Sequence, residues 1–159
     1  MRIGASGEAP VDLARVRGAV RAALRPFGLP RDTEIGLAFV DDVRMRTLNR
    51  RHRGIGRTTD VLSFGQALPA GSRGAAALPH RRREPDGTLE LGDIVISAAQ
   101  ARRQARHARR SLEGEVAFLA AHGALHLLGF EDETPFGYRE MVRLGKEAVR
   151  KATPSLRTR

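Results

Sequence analysis

The spacing of apolar residues in the first half of the chain predicts two helices and two strands. Apolar positions recur at three- or four-residue intervals through residues 11–28, which predicts an amphipathic helix that ends near Gly28. The runs EIGLAFV (34–40) and DVLSFG (60–65) are short and mostly apolar, and we interpret each as a β-strand. Asp41 directly follows the first of these runs, where its side chain predicts the N-cap of a second helix.

The second half of the chain predicts one further strand and three helices. The run LELGDIVIS (89–97) is almost continuously apolar, which indicates a strand at the centre of a sheet. A helix is predicted over 98–108, and a longer apolar helix over 112–128 that stops at Gly129. Pro135, preceded by a threonine, has the pattern of a first helical residue and predicts the start of the last helix.

The segment between the second and third predicted strands has no period of either kind. Residues 66–88 are rich in Gly, Pro, Ala and Arg, and we interpret them as a long, mobile surface loop. Elsewhere strands alternate with helices, so the predicted fold class is α+β (mixed α/β), with a small mixed sheet packed against about five helices. Neither an internal repeat nor a composition shift divides the chain, so we expect a single domain over 1–159.

Composition and charge narrow the classes of protein that remain. The chain is 41% hydrophobic but contains no apolar run long enough to cross a bilayer. Its first residues, MRIGASGEAP, lack the apolar region of a signal peptide, and we expect a cytoplasmic protein. The absence of cysteine excludes disulfides and thiolate metal sites. The formal net charge of +10 attracts polyanions, nucleic acid first, although arginine-rich codon usage explains the excess equally well.

The segment HGALHLLGFED (122–132) carries the candidate chemistry. His122 and His126 are four residues apart in a predicted helix, so both imidazoles lie on one face. Gly129 ends that helix and lets the chain turn back, which brings Asp132 within reach as a third ligand. Two histidines and one carboxylate form an accepted zinc ligand set that leaves a position for water. The alternative is a pair of core histidines without a metal.

The same spacing matches the metzincin frame H-E-x-x-H-x-x-G-x-x-H, so the predicted metal helix is metzincin-like. Metzincin peptidases use the glutamate after the first histidine as a general base. Here that position is Gly123. A metal-dependent peptidase is therefore disfavoured, since it would lack its base.

Three separated segments agree in order with one known family. HRGIGRTTDVLSF, LELGDIVIS and HGALHLLGFED resemble the motifs of the YbeY family of single-strand-specific, metal-dependent endoribonucleases, over about residues 34–150. The family acts in ribosomal RNA maturation and ribosome quality control. The resemblance implies one Zn²⁺ per chain at His122 and His126, with Arg53 near the metal, and it makes Arg53 and His122 the candidate catalytic residues. The implied partners are RNA, in particular ribosomal RNA, and the small ribosomal subunit, with no membrane and no DNA.

One position departs from the family pattern. The family has a histidine as third ligand where this chain has Asp132, and Glu131 fills the place of the family's aspartate. Asp132 is the preferred third ligand because sites with two histidines and one carboxylate are established. Glu131 or a water molecule could instead fill the position. A carboxylate ligand also admits divalent metals other than zinc.

Arginine clusters and a few polar residues are the remaining candidates. Asp60, Ser63 and Asp93 either orient the imidazole rings or cap strands and turns. The candidate RNA-binding residues, with residues 66–88 as a basic flap, are Arg50, Arg51, Arg57, Arg81, Arg82 and Arg83.

The sequence leaves the reaction partly open. Aromatic residues are scarce, so recognition of RNA would depend on backbone charge and shape. Either a water activated by the metal or the RNA 2′-OH could be the nucleophile. A non-catalytic ribosome-assembly factor with a structural metal is the alternative function, ahead of the peptidase.

Overall fold

A five-stranded mixed sheet and five α-helices make up residues 1–153, the part of the chain that this computed structural model describes. The strands are β1 (Arg2–Ser6), β2 (Thr33–Val40), β3 (Val61–Phe64), β4 (Arg82–Arg83) and β5 (Leu89–Ser97). The α-helices are α1 (Leu13–Leu24), α2 (Asp42–Arg53), α3 (Ala98–His107), α4 (Leu112–Leu127) and α5 (Pro135–Ala152), and Arg25–Phe27 and Gly74–His80 form 3-10 helices. The predicted fold class is confirmed. Residues 154–159, the last of the predicted domain, lie outside the described residues.

The sheet has the order β1-β2-β5-β3, with β5 near its centre as predicted. β1, β2 and β5 run parallel, whereas β3 and the short β4 pair antiparallel with β5 at different points along its length. None of the helices within residues 1–153 combines the length and the apolar character that a bilayer crossing requires.

Side-chain alternation along the strands divides the core into two layers. Ile94 and Ile96 of β5 point into the main core, where they pack with α1, α4 and α5. Val95 points the other way and packs with Leu62 of β3 and Met45 of α2. This period of two is what a strand buried on both faces requires. The sheet is therefore covered on both sides, and α4 lies in the larger layer.

Helix α4 is buried almost all round and lies directly against the sheet. A Cβ atom at Gly123 would come within 2.7 Å of Ile94 Cγ2 and 3.1 Å of Ser63 Oγ, so only glycine fits there without a shift of the strands. The Ser63 hydroxyl donates a hydrogen bond to the Gly123 carbonyl at 2.8 Å. These contacts hold the part of α4 that carries the two histidines close against β3.

An acidic residue at the start of α2 ties this helix to its neighbours. The Asp42 carboxylate accepts two hydrogen bonds from Arg103 of α3, at 2.8 and 2.9 Å, and further bonds from the hydroxyls of Thr58 and Ser97. The bonds from Arg103 are the main reason why the pKa of Asp42 falls to about 2. The network holds the connection from α2 to β3 in place, and Arg53 lies at the start of that connection.

Three elements were absent from the sequence prediction. Strand β1 pairs with β2 at the sheet edge, and Ile3 is its only buried residue, so it has no apolar pattern. Residues 66–88, predicted as a loop without secondary structure, contain the 3-10 helix Gly74–His80 and β4. The Gly74 amide donates to the Leu128 carbonyl at 2.8 Å, so this segment packs on the end of α4.

Candidate metal centre

Three side chains converge at the C-terminal end of α4. His122 and His126 lie on one face of the helix, and Asp132 follows in the connection to α5. The His122 and His126 Nε2 atoms are 3.1 Å apart, and Asp132 Oδ2 lies 3.1 Å from the first and 3.4 Å from the second. His122 is buried, whereas His126 and Asp132 are partly exposed. The group therefore has a buried side and a side that faces solvent.

The chain reverses sharply to deliver Asp132 to the histidines. Gly129 follows the end of α4 with φ +83°, and any Cβ there would collide with the Ser72 carbonyl oxygen. Phe130 is buried beneath the turn. The Thr134 side chain then accepts a hydrogen bond from the Gly137 amide at 3.0 Å and caps α5. Both ends of the connection are thus fixed, as the glycine stop and the threonine cap predicted.

The protonation states suit metal ligands. His126 Nδ1 lies 2.8 Å from the Phe130 carbonyl oxygen and donates to it, which leaves Nε2 free to bind. Burial, and then the neighbouring His126, lower the pKa of His122, so this ring is neutral near pH 7. Burial opposes ionisation of Asp132, but the two histidines outweigh it and its pKa is lowered. The neutral form of His122 and the ionised form of Asp132 are those that bind a metal.

The donor set and its spacing fit a divalent metal ion. Zinc bound to nitrogen and oxygen at about 2.0–2.2 Å in tetrahedral geometry holds its ligand atoms roughly 3.3–3.5 Å apart. The separations of 3.1–3.4 Å among the three side chains are close to this. Within residues 1–153, Asp132 rather than Glu131 completes the group. Three protein ligands and an open side are typical of catalytic rather than structural zinc sites.

The groups expected to orient the imidazoles have other partners. Asp60 accepts hydrogen bonds from the Val61 amide at 2.7 Å and from Gln104 at 3.1 Å, so it caps the start of β3. Ser63 donates to the backbone of α4, and the exposed Asp93 carboxylate lies over Gly36. Asp60 is therefore a capping residue, which was the second of the two roles predicted for it. The His126 ring is oriented by the Phe130 backbone carbonyl instead of by a carboxylate.

The three side chains lie in an open cavity of about 1170 Å³. Its walls come from the end of α2, from β3, from residues 65–73 and from the start of α5. Arg53 is exposed and lines this cavity together with His122 and His126.

Arg81 corrects the expectation of an exposed basic flap. Its side chain is buried, and its guanidinium donates to the carbonyl oxygens of Leu127 and, at 2.5 Å, Gln66. Burial also lowers its pKa. Arg81, predicted with Arg82 and Arg83 as an exposed RNA contact, thus instead anchors residues 66–80 to the end of α4.

The other predicted arginines are exposed but lie outside the cavity. Arg82 pairs with Glu84 at 3.0 Å and lies 3.8 Å from Glu90, so its charge is partly neutralised. Arg83 donates to the Gly87 carbonyl at 3.2 Å. The remaining three predicted arginines lie near Arg53 at the end of α2, and all three are exposed: Arg50, Arg51 and Arg57.

Sequence reasoning missed two residues of the cavity wall. Arg73 pairs with Glu140 of α5 at 2.8 Å, and its guanidinium lies 5.0 Å from the centre of the Phe130 ring. Phe136, in the first turn of α5, is 68% exposed. Arg73 stood in a segment without periodicity, and an apolar residue in a first helical turn is ordinarily interpreted as part of the core. No sequence signal pointed to either residue.

The fold and the site together define a protein with an HxxxH helix and a nearby carboxylate that form a candidate metal site at an open, arginine-lined cavity. The model of the Endoribonuclease YbeY family matches residues 8–153, and the chain belongs to that family. The family resemblance is thereby confirmed.

Relatives and a solved structure agree with this assignment. Endoribonuclease YbeY of Desulforamulus reducens is 42% identical over 137 residues, which cover 86% of this chain and 83% of the relative. Endoribonuclease YbeY of Moorella thermoacetica is 40% identical over 129 residues, or 81% and 79% of the two chains. A solution structure from Thermotoga maritima is similar with a TM-score of 0.60 and 22% identity, over 95% of this chain and 89% of that one, and it supports the fold.

Proposed function

We propose that this chain is a zinc-dependent endoribonuclease that cleaves single-stranded RNA, and that it acts on ribosomal RNA in maturation and quality control. The observation that carries the proposal is the convergence of His122, His126 and Asp132 beside Arg53 in one open cavity. Family membership supports hydrolysis of RNA phosphodiester bonds. A cytoplasmic location with the small ribosomal subunit as partner follows from that substrate.

The three ligands would hold the metal with one side open to substrate. A bound divalent ion would supply Lewis acidity toward a phosphate oxygen and a lowered pKa for water. The Asp132 carboxylate contributes a negative charge that a third histidine would not. The site therefore also suits harder divalent ions such as Mn²⁺ or Fe²⁺, although zinc remains our choice for a nitrogen-rich set.

Arg53 is the cationic residue best placed to bind the scissile phosphate. It lies at the last position of α2, exposed and on the cavity wall. Guanidinium matches two phosphate oxygens at once, which a lysine ammonium cannot do. Because Gly54 ends the helix with φ +71°, the Arg53 backbone is held while its side chain stays free to reach the substrate.

The position at which metzincin peptidases carry their general base is Gly123 in this chain. A side chain at position 123 would collide with buried Ile94, so a glutamate cannot occupy the place that metzincin peptidases use. This supports phosphodiester rather than peptide hydrolysis.

The test combines metal analysis with RNA cleavage under single-turnover conditions. Wild type should contain close to one zinc per chain and cleave a single-stranded RNA, and chelation should abolish cleavage. Asp132→Ala should lose metal and activity, because two remaining ligands are too few, whereas Glu131→Ala is the matched control and should keep both. Arg53→Lys should keep the metal but slow cleavage by about 10²–10³-fold.

Each outcome bears on a separate part of the proposal. RNA cleavage that persists in the metal-free Asp132→Ala variant would overturn the metal-dependent mechanism. A greater loss in Glu131→Ala would mean that the wrong acid has been chosen. Full zinc occupancy without RNA cleavage in wild type would favour the assembly factor with a structural metal.

A further inference from the structure

An exposed aromatic ring stands on the wall of the metal cavity. Phe136 lies in the first turn of α5, four residues after Asp132, and is 68% exposed. It lines the same cavity as the three ligands and Arg53. Leaving a phenylalanine in water forgoes the stabilisation that its burial would give. A ring in this position offers its face to whatever the cavity binds.

The orientation of α5 directs Phe136 toward the mouth of the cavity. Phe136 and Glu140 are four residues apart, so they share one face of the helix. Glu140 pairs on that face with Arg73, which lines the cavity from the opposite segment. Phe136 thus lines the same cavity as the Arg73 guanidinium and the Asp132 carboxylate.

The exposure of Phe136 is unusual within this chain. The other phenylalanines, buried or partly buried, are Phe27, Phe39, Phe64, Phe118 and Phe130. Within residues 1–153 the other exposed large apolar residues are Val43 and Tyr138. Tyr138 is two positions further along α5, roughly 200° round the helix, and lies outside the cavity wall. Neither Val43 nor Tyr138 lines the cavity, so within residues 1–153 Phe136 is the exposed large apolar side chain of its wall.

We infer that Phe136 is a stacking platform for an unpaired RNA base next to the phosphate that is cleaved. The inference rests on the proposed function and specifies how the site would select its substrate. The ring face would carry the base, while Arg53, which lines the same cavity, would meet the neighbouring phosphate. A base can stack on the ring only when it is free of its own duplex, so the contact selects single-stranded RNA of any sequence.

The experiment measures RNA affinity with the full-length, zinc-loaded protein. The probe is a short single-stranded RNA with one 2-aminopurine, whose fluorescence falls when the base stacks. Phe136→Ala should weaken binding by roughly 5- to 150-fold and remove the fluorescence change. Phe136→Trp should restore both, and Phe136→Leu should not. Tyr138→Ala, an exposed aromatic on the same helix, is the matched control and should match wild type.

Cleavage kinetics provide a second readout. In single-turnover reactions, Phe136→Ala should raise the protein concentration needed for half-maximal rate and leave the maximal rate within a few-fold of wild type. A lower maximal rate at unchanged half-saturation would overturn a binding role. Far-ultraviolet circular dichroism and zinc content, unchanged in each variant, exclude unfolding.

The outcomes separate this inference from the proposed function. Wild type that cleaves RNA, with Phe136→Ala equal to Tyr138→Ala, would overturn the stacking role and leave the endoribonuclease intact. Wild type that neither binds nor cleaves RNA would overturn both. Phe136→Leu equal to wild type would replace stacking by a general apolar contact. Unchanged affinity for RNA with weaker binding to intact small ribosomal subunits would indicate a protein contact instead.

Discussion

At the scale of single residues, Gly123 excludes peptidase chemistry because the position has no room for a side chain. The residue lies between the two histidine turns of α4, where the helix touches β3 and β5. Because glycine has no side chain, α4 can approach β3 and β5 closely at this position. The same closeness excludes the glutamate that a peptidase would need.

We predict that Gly123→Ala destabilises the protein, although alanine normally favours a helix. The gain in helix propensity is about 1 kcal/mol, whereas forcing a methyl group into a packed core costs about 1–3 kcal/mol. The clash should prevail because Ile94, 2.7 Å from the new Cβ, is itself fully buried. The free energy of unfolding, from denaturant titration, measures the difference.

Gly4→Ala serves as the control for that measurement. Gly4 lies in β1 with no atom within 4 Å of an added Cβ, so this change should leave stability within about 0.5 kcal/mol. An equal effect of the two substitutions would show that α4 can move away from the sheet.

At the scale of elements, Arg81 joins the segment 66–80 to helix α4. The guanidinium donates to the Leu127 carbonyl, one of the last of the helix, which has no partner within the helix. The second bond, to Gln66, holds the start of the segment at the same place. One side chain therefore satisfies a helix end and closes a cavity wall.

Arg81→Ala should reduce the free energy of unfolding by about 1–3 kcal/mol, because it leaves buried carbonyl groups without a donor. Arg82→Ala, at the exposed neighbouring position, should change it by less than about 0.5 kcal/mol. Denaturant titration gives both values, and limited proteolysis should cut residues 66–80 faster in the first variant. Equal stability of the two variants would mean that Arg81 is no anchor.

The elements that could be predicted from the sequence are those whose signal is local. Helix α4 carried its ligands, its glycine stop and its apolar surface within one segment, so the metal group was visible before the fold was known. Strand β1 and the 3-10 helix Gly74–His80 depend on partners distant in sequence, and their own residues show no periodic apolar pattern. Arg73 meets the site only through tertiary packing, and the exposure of Phe136 depends on where α5 packs, so the local pattern indicated neither residue.

At the scale of the whole molecule, the formal charge of +10 predicts how RNA affinity responds to salt. Each arginine that contacts a phosphate releases counterions, so the logarithm of affinity falls linearly with the logarithm of salt concentration. Replacing Arg50 and Arg51 together by glutamine should reduce that slope by about 2 in magnitude. Both are exposed beside Arg53.

A matched pair of arginines lies on β4. Arg82 and Arg83 are already engaged by Glu84 and by the Gly87 carbonyl, so replacing both by glutamine should change the slope little. Fluorescence titrations of a labelled single-stranded RNA at several salt concentrations give the three slopes. A larger change for the β4 pair would move the RNA path to that side of the molecule.

The short connection between α4 and α5 and the first turn of α5 carry residues proposed for two binding equilibria, that of the metal and that of RNA. Asp132 and Phe136 stand four residues apart on one fixed reversal of the chain, so whatever orders this connection acts on both side chains. If metal binding at Asp132 raises the affinity for RNA by some factor, RNA must raise the affinity for metal by the same factor. Metal loading and substrate capture would then be a single thermodynamic cycle, in which each ligand retains the other.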